Sequence, residues 1–413
     1  MAKSPLILAA LAIDAVPGVN FTDVKPLTTG ANGAFDTAIL TTAEGGHFVI
    51  RIAENQAAET EQTVELHALK TLDAVRGQLP FKFTRVVGET KDSRGKRALV
   101  FDYVYGNPID VTRVTPGGHL AENIGKALAA IHNISTTLVD DAGLPSFEPA
   151  QLIRSRVAEV DRAAATGKVP PVLLSRWENA LEDAELFRYL PTVIHGGLNG
   201  ETVLENDDEV SGVLAWSTLR VSDPAEDFAW IFGAGLTELA DAVLFSYSID
   251  RQLSDPSIRK RAALYSELDM ARWLLYGVST NNAEIIEDAE SMLKQLAEEL
   301  NEGKVLPLSS VAAIAAAHED SFISSGANEG SFIENGAANV FESAPAFDEP
   351  EQFDSVETAA IEIVSVATSE EIEIDAEGNA DATEEITIVA TGEPVDNKTR
   401  VIELPDKSEN ELF

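Results

Sequence analysis

Eight acidic side chains, one histidine and a pair of adjacent glycines fall within the 38 residues from Val193 to Trp230. Carboxylates at this density can take a proton or hold a divalent cation, and a glycine bend can bring backbone close to a ligand. The order is His195-Gly196-Gly197-Leu198, then Val203-Leu204, then Gly212-Val213-Leu214-Ala215-Trp216, then Asp223-Pro224 with Asp227-Phe228-Ala229 behind it. Two short apolar runs flank the polar segment Glu205 to Glu209, which is hairpin chemistry. Asp223-Pro224 supplies a turn and a helix start. The elements that must position these residues are therefore a strand, a loop, a hairpin and a helix entry.

This multi-part, ordered signature resembles the aminoglycoside and macrolide phosphotransferase family, relatives of the protein kinases. In that family the bend reads His-Gly-Asp-Leu with the Asp as catalytic base. An Asn or His a few residues on helps hold metal, and the second apolar run ends in a metal-binding Asp before Trp. The matching positions here are Gly197, Thr202 and Ala215, so all three functional side chains are absent. The frame persists in His195, Gly196, Leu198, Trp216, Asp223 and Asp227.

Phosphoryl transfer rests on positioning and on neutralising phosphate charge. Glycine cannot accept a proton and alanine cannot hold a metal. Loss of a general base costs roughly 100- to 10,000-fold, and loss of a metal's charge stabilisation several kcal/mol more. The pattern implies a retained fold with lost chemistry. A second reading lets Glu201, Glu205, Asp207 or Asp208 replace the missing carboxylates, although charges beside a hairpin turn belong more often to a solvated loop.

The resemblance extends upstream. Asp36 to Thr42 and His47 to Ala53 read as a hairpin. Thr28-Thr-Gly-Ala-Asn-Gly-Ala, just before it, stands where a nucleotide-covering glycine loop would, without the kinase spacing; a plain turn explains it equally well. Arg51 occupies the place of the kinase lysine that touches nucleotide phosphates. Glu65, on an amphipathic helix with Val64, Leu66, Leu69 and Leu72, is its expected partner. The pair could align phosphates or simply tie strand to helix. Phe81 to Val87 and Arg97 to Tyr105 read as further strands. The second ends in Asp102, Tyr103 and Val104, which resemble the linker between lobes whose backbone would hydrogen-bond an adenine; the alternative is an edge strand ending at Gly106.

From Gly118 the chain turns helical. Leu120, Ile124, Leu128, Ile131 and His132 mark one buried face, with His132 a packed core residue rather than a catalyst. Helices are expected over 151–163, 172–190, 235–248, 256–276 and 282–303, with Trp273 and Tyr276 as core candidates.

The chain has 413 residues, a formal charge of −39 and no cysteine. Its acidity argues against nucleic acid and anionic membrane surfaces as partners. The missing cysteines fit a reducing compartment, and a cytoplasmic location is expected. The apolar run Pro5 to Ile13 is too short to span a bilayer and reads as a buried helix rather than a leader. From Ser321 to Phe413 there are 23 Asp and Glu against three basic residues, a net charge of −20. Like charge at that density opposes collapse, so a mainly disordered tail is expected. Val311 to Ala317 could extend the last helix, and the alternating segments at Ile361 and Ile386 could add a strand to a partner's sheet.

The expectation is an α+β, bilobal kinase-like fold: a β-rich lobe over 1–105, a helical lobe over 106–305 with a degenerate catalytic loop, and an acidic tail over 306–413. The resemblance implies ATP or GTP as cofactor and leaves magnesium doubtful. Function divides between a pseudokinase, which senses a nucleotide or engages a protein partner through the tail, and an active kinase of a small hydroxylated molecule such as a macrolide or aminoglycoside. A scaffold without any ligand site is a third option.

Overall fold

The computed structural model describes residues 3–27, 34–251 and 254–308. The glycine loop at Thr28, the extension over Val311 to Ala317 and the two alternating tail segments lie outside the described residues.

Pro5 opens α1 (Pro5–Ala15), where its missing N–H leaves no bond unmade. Leu8 and Ala12 are buried against the first sheet, whereas Leu6, Ile7 and Ile13 remain exposed. That sheet holds β1 (Phe21–Pro26), β2 (Phe35–Thr42), β3 (His47–Ala53), β4 (Val86–Lys91) and β5 (Arg97–Asp102), with α2 (Gln56–Leu72) following β3. The strands are antiparallel in the order β1-β2-β3-β5-β4. Strand alternation divides the two faces. Ala98 and Val100 pack under α1 with Ala38, Leu40, Ile50 and Ile52, while Leu99 and Phe101 point into the main core with Leu69 and Leu72 of α2.

The strand expected over Phe81 to Val87 forms later, from Val86. Phe81 and Phe83 instead flank the buried Trp216 ring, at 6.3 and 6.1 Å. Between them Lys82 donates to the Ser211 carbonyl at 3.0 Å and accepts from the Val213 N–H at 2.9 Å. Aromatic burial and this bridge outcompete continued pairing in the first sheet.

The remainder is mostly helical: β6 (Asn107–Pro108), α3 (His119–His132), α4 (Thr136–Asp141), α5 (Pro149–Ala165), α6 (Pro171–Leu181), β7 (Thr192–Ile194), β8 (Val203–Asn206), β9 (Glu209–Val213), β10 (Arg220–Ser222), α7 (Ala229–Phe232), α8 (Thr237–Arg251), α9 (Ile258–Ser279) and α10 (Ala283–Asn301). β7 pairs with β10, and β6, β8 and β9 form a small sheet. The helix expected to reach residue 190 stops at Leu181. There the Asp183 carboxylate accepts the Glu185 N–H at 3.0 Å, a local bond that competes with helix. Trp273 and Tyr276 are not core residues. They stack on each other at the surface, 5.5 Å apart, with the indole N–H of Trp273 donating to Asp288 at 2.8 Å. Their spacing was helical, but the helix turns that stripe outward.

Candidate active site

The bend after β7 is held by one buried carboxylate. Asp227, in the 3-10 turn Pro224–Phe228, accepts the N–H groups of His195 at 2.8 Å and Gly196 at 2.7 Å. It also accepts Nε2–H of His132 at 3.2 Å, and the Tyr247 hydroxyl donates in turn to His132 Nδ1 at 3.0 Å. Burial alone would raise the Asp227 carboxyl, but the His132 hydrogen bond, the nearby histidines and the backbone donors hold it below the usual carboxylate range. Gly196 adopts φ +80°, and a Cβ there would strike the Arg220 guanidinium. His195 is fully enclosed. Its Nε2 donates to the Leu214 carbonyl at 2.8 Å, so Nδ1 is the lone pair that receives the Gly197 N–H at 3.2 Å. Burial pushes its pKa down, keeping the ring neutral.

Asp223 caps the following turn and is clasped by Arg261 through Nε at 2.6 Å and Nη2 at 3.0 Å. The Tyr265 hydroxyl adds a bond of 2.7 Å. His195, Asp223 and Asp227 are therefore structural: they shape the loop from behind.

Gly197, Thr202 and Ala215 lie along the loop and at the two ends of the hairpin that follows it. A side chain at Gly197 would begin 2.9 Å from Thr218 Oγ1, and that hydroxyl donates to the His195 carbonyl at 2.8 Å. Arg220 lies over the neighbouring Gly196, donating to the Thr218 carbonyl at 3.0 Å and pairing with Glu226 at 2.9 Å. The Thr202 hydroxyl accepts the Asn199 N–H at 2.9 Å and donates to its carbonyl at 3.1 Å. Ala215 offers no donor atom, yet its backbone is left-handed, with φ +63° and ψ +56°.

The acidic substitutes weighed from sequence lie elsewhere on the hairpin. Asp207 and Asp208 form its two-residue turn, both with positive φ, and the Asp208 carbonyl accepts from Asn123 of α3 at 3.2 Å. Glu205 pairs across the sheet with Asn107. Glu201 lines a shallow cleft with Pro108, Ile109 and Asp110. Among the described residues no group of three His, Asp or Glu side chains is placed to hold a metal ion.

On the upper sheet Arg51 pairs with Glu65, and its guanidinium lies over the rings of Phe35 and Phe101, 4.6 and 5.2 Å from their centroids. Asp102 donates its N–H to the Arg85 carbonyl at 2.9 Å and accepts the Arg85 N–H on its side-chain carboxylate, then the chain leaves the strand. Tyr103 and Tyr105 cluster edge to face, 4.8 Å apart, with His47 beside both. Val104 is buried, and its N–H and C=O bond to no other described backbone group. Sequence reasoning missed Thr218 and Arg220, whose contacts exist only because β10 pairs with β7, and it missed Arg261, thirty-eight residues from the Asp223 it clasps.

The sequence pattern of the phosphotransferase enzyme family matches residues 24–265. This chain belongs to that family. Its architecture agrees with solved members, which share a kinase-like fold. The macrolide 2'-phosphotransferase MphH from Brachybacterium faecium superposes with a TM-score of 0.60 at 20% identity, covering 70% of this chain and 98% of that one. A macrolide 2'-phosphotransferase type I gives 0.59 at 22% identity, covering 71% and 98%. The GDP complex of aminoglycoside 2'-phosphotransferase-IIIa gives 0.59 at 17% identity, with the same coverage. A curated relative, the uncharacterized protein YcbJ of Bacillus subtilis (strain 168), is 27% identical over 116 residues; the match spans 27% of this phosphotransferase-family chain and 37% of that relative's length.

Proposed function

We propose that this family member has the phosphotransferase fold without phosphoryl transfer and acts by binding, as a pseudokinase. The observation that carries the reading is the Thr218 hydroxyl bonded to the His195 carbonyl where a side chain at Gly197 would start. The site lacks a base and also has a neighbour in its place. The donor set does not fit magnesium, which needs several oxygens in near-octahedral order. Thr202 turns its hydroxyl to Asn199, and Ala215 has none.

A nucleotide fits better than a metal. In this reading Arg51, paired with Glu65, meets the phosphates, and the main-chain groups of Val104, which bond to no other described backbone group, meet the adenine edge. ATP or GTP is the ligand, without magnesium, and the acidic tail is the segment that meets a protein partner. The second reading, an active kinase of a macrolide or aminoglycoside, draws on the relatives' names alone.

Calorimetric titration of the full chain with ATP and GTP, with and without magnesium, is the test, alongside phosphate release with both antibiotic classes. Magnesium-independent binding without turnover is expected. Magnesium-dependent transfer to any acceptor sinks the reading. The double variant Gly197→Asp/Ala215→Asp is expected to stay inactive until Thr218→Ala is added to make room.

A further inference from the structure

Asn199 and Gly200 stand in the middle of the loop, between the bend at Gly197 and the first strand of the hairpin. An asparagine followed by glycine is the dipeptide most open to spontaneous loss of the side-chain amide, because no Cβ on the second residue shields the nitrogen between them. The local structure favours that reaction. Asn199 is exposed, and its Oδ1 accepts the N–H groups of Glu201 at 2.8 Å and Thr202 at 3.1 Å, an Asx turn. Its Nδ2 and the Gly200 N–H make no hydrogen bond among the described residues. Gly200 is itself held by its carbonyl, which accepts the Ile109 N–H at 2.8 Å. A Cβ on it would strike the Ile109 carbonyl oxygen, so the packing that requires glycine here also leaves the nitrogen bare.

We propose that Asn199 is a self-modification site, which exchanges its carboxamide for a carboxylate in the folded chain. Gly200 loses its amide proton to a solvent base, and the nitrogen attacks Asn199 Cγ. The new C–N bond drives negative charge onto Oδ1, where two N–H donors already stand at the distances that an oxyanion needs. Nδ2 departs as ammonia and leaves a five-membered succinimide. Water opens this ring, at Cγ to give aspartate or at the main-chain carbonyl to give isoaspartate, so that one water is taken up for each ammonia released. In the aspartate form the Glu201 and Thr202 N–H groups keep their acceptor, now with charge-assisted bonds. The loop gains one negative charge with age, whether or not it binds a nucleotide.

The test incubates the full chain, folded and in urea, at neutral and mildly alkaline pH, and follows the tryptic peptide 189–220 by mass spectrometry with fragment-level assignment. That peptide contains one other asparagine, Asn206, as an internal reference. Deamidation is expected at Asn199 ahead of Asn206 and faster at the higher pH. It should run about fivefold faster folded than in urea, a difference of about 1 kcal/mol in the barrier. In urea Asn199 should keep pace with the chain's other Asn-Gly pairs, 32–33 and 335–336. Asn199→Gln, whose longer side chain would need a six-membered ring, should remove the early mass gain, and Asn199→Asp should keep or raise the thermal midpoint. A slower reaction in the folded chain than in urea, or a mass gain led by Asn206, would overturn the site. A lowered midpoint for Asn199→Asp would overturn the survival of the turn.

Discussion

Ala215 keeps a backbone shape that suits a different residue. Four non-glycine residues among those described have positive φ, and the other three are Asp207, Asp208 and Asn281, types that tolerate the left-handed region. Ala215→Gly should therefore stabilise the chain by about 1 kcal/mol, read as a higher denaturation midpoint at unchanged slope; destabilisation would mean the conformation is not strained. His195 gives a pH prediction. Its folded pKa lies below the unfolded value near 6.5, so the unfolded state binds more protons between the two. Stability from this group is full above about pH 6.5 and declines as pH falls through that window. His195→Gln, which can still donate to Leu214, should flatten the pH 5 to 7 stability curve relative to wild type. Parallel curves would exclude His195 as the titrating group. The loop frame was legible because His195, Asp223 and Asp227 occur at a fixed spacing in one stretch. The guanidinium and hydroxyl that fill its open side were not, because Thr218 and Arg220 reach it through a strand pairing that no local pattern announces.

At the scale of elements, α1 is attached to its sheet by charge as well as by Leu8 and Ala12. Lys3 Nζ lies 2.6 Å from Glu54, 3.4 Å from Asp92 and 3.5 Å from Asp36, all largely enclosed. Removing the cation would leave three carboxylates with only the half-exposed Arg94, near Glu54 and Asp92, and Lys96 to offset them. Lys3→Ala should cost about 2 kcal/mol. Despite burial, which acts to raise them, bonds to Lys3 and other donors leave the Glu54 and Asp92 carboxyls below their ordinary pKa. This contribution is present above about pH 4 and is lost as pH falls further, so the variant and wild type should converge in acid. A pH-independent gap would assign the loss to packing. The β2–β3 hairpin was readable because alternating apolar residues bracket the Ala43 to Gly46 turn. The segment from Phe81 was not, since two buried phenylalanines separated by one residue look the same whether their backbone pairs with a neighbouring strand or with a hairpin in another sheet.

The whole molecule carries −39 charges at neutral pH, and self-repulsion at that level opposes compactness. Raising monovalent salt from low to physiological strength should therefore raise the thermal midpoint by a few degrees, as the Debye length shortens to about 8 Å. A falling midpoint would show that ion pairs such as Arg156–Glu226 outweigh the repulsion. The α+β order of the chain was visible in its periodicity because strands and helices occupy successive stretches, whereas the closure of one loop by a distant helix arginine was not. One contact within that loop also has an optical consequence. The indole of Trp216 is buried with its centroid 4.6 Å from the His195 imidazole, and a protonated imidazole quenches indole emission. With Trp177, Trp230 and Trp273 replaced by phenylalanine, the remaining fluorophore would signal proton uptake and rearrangement at the bend in real time, without any attached label.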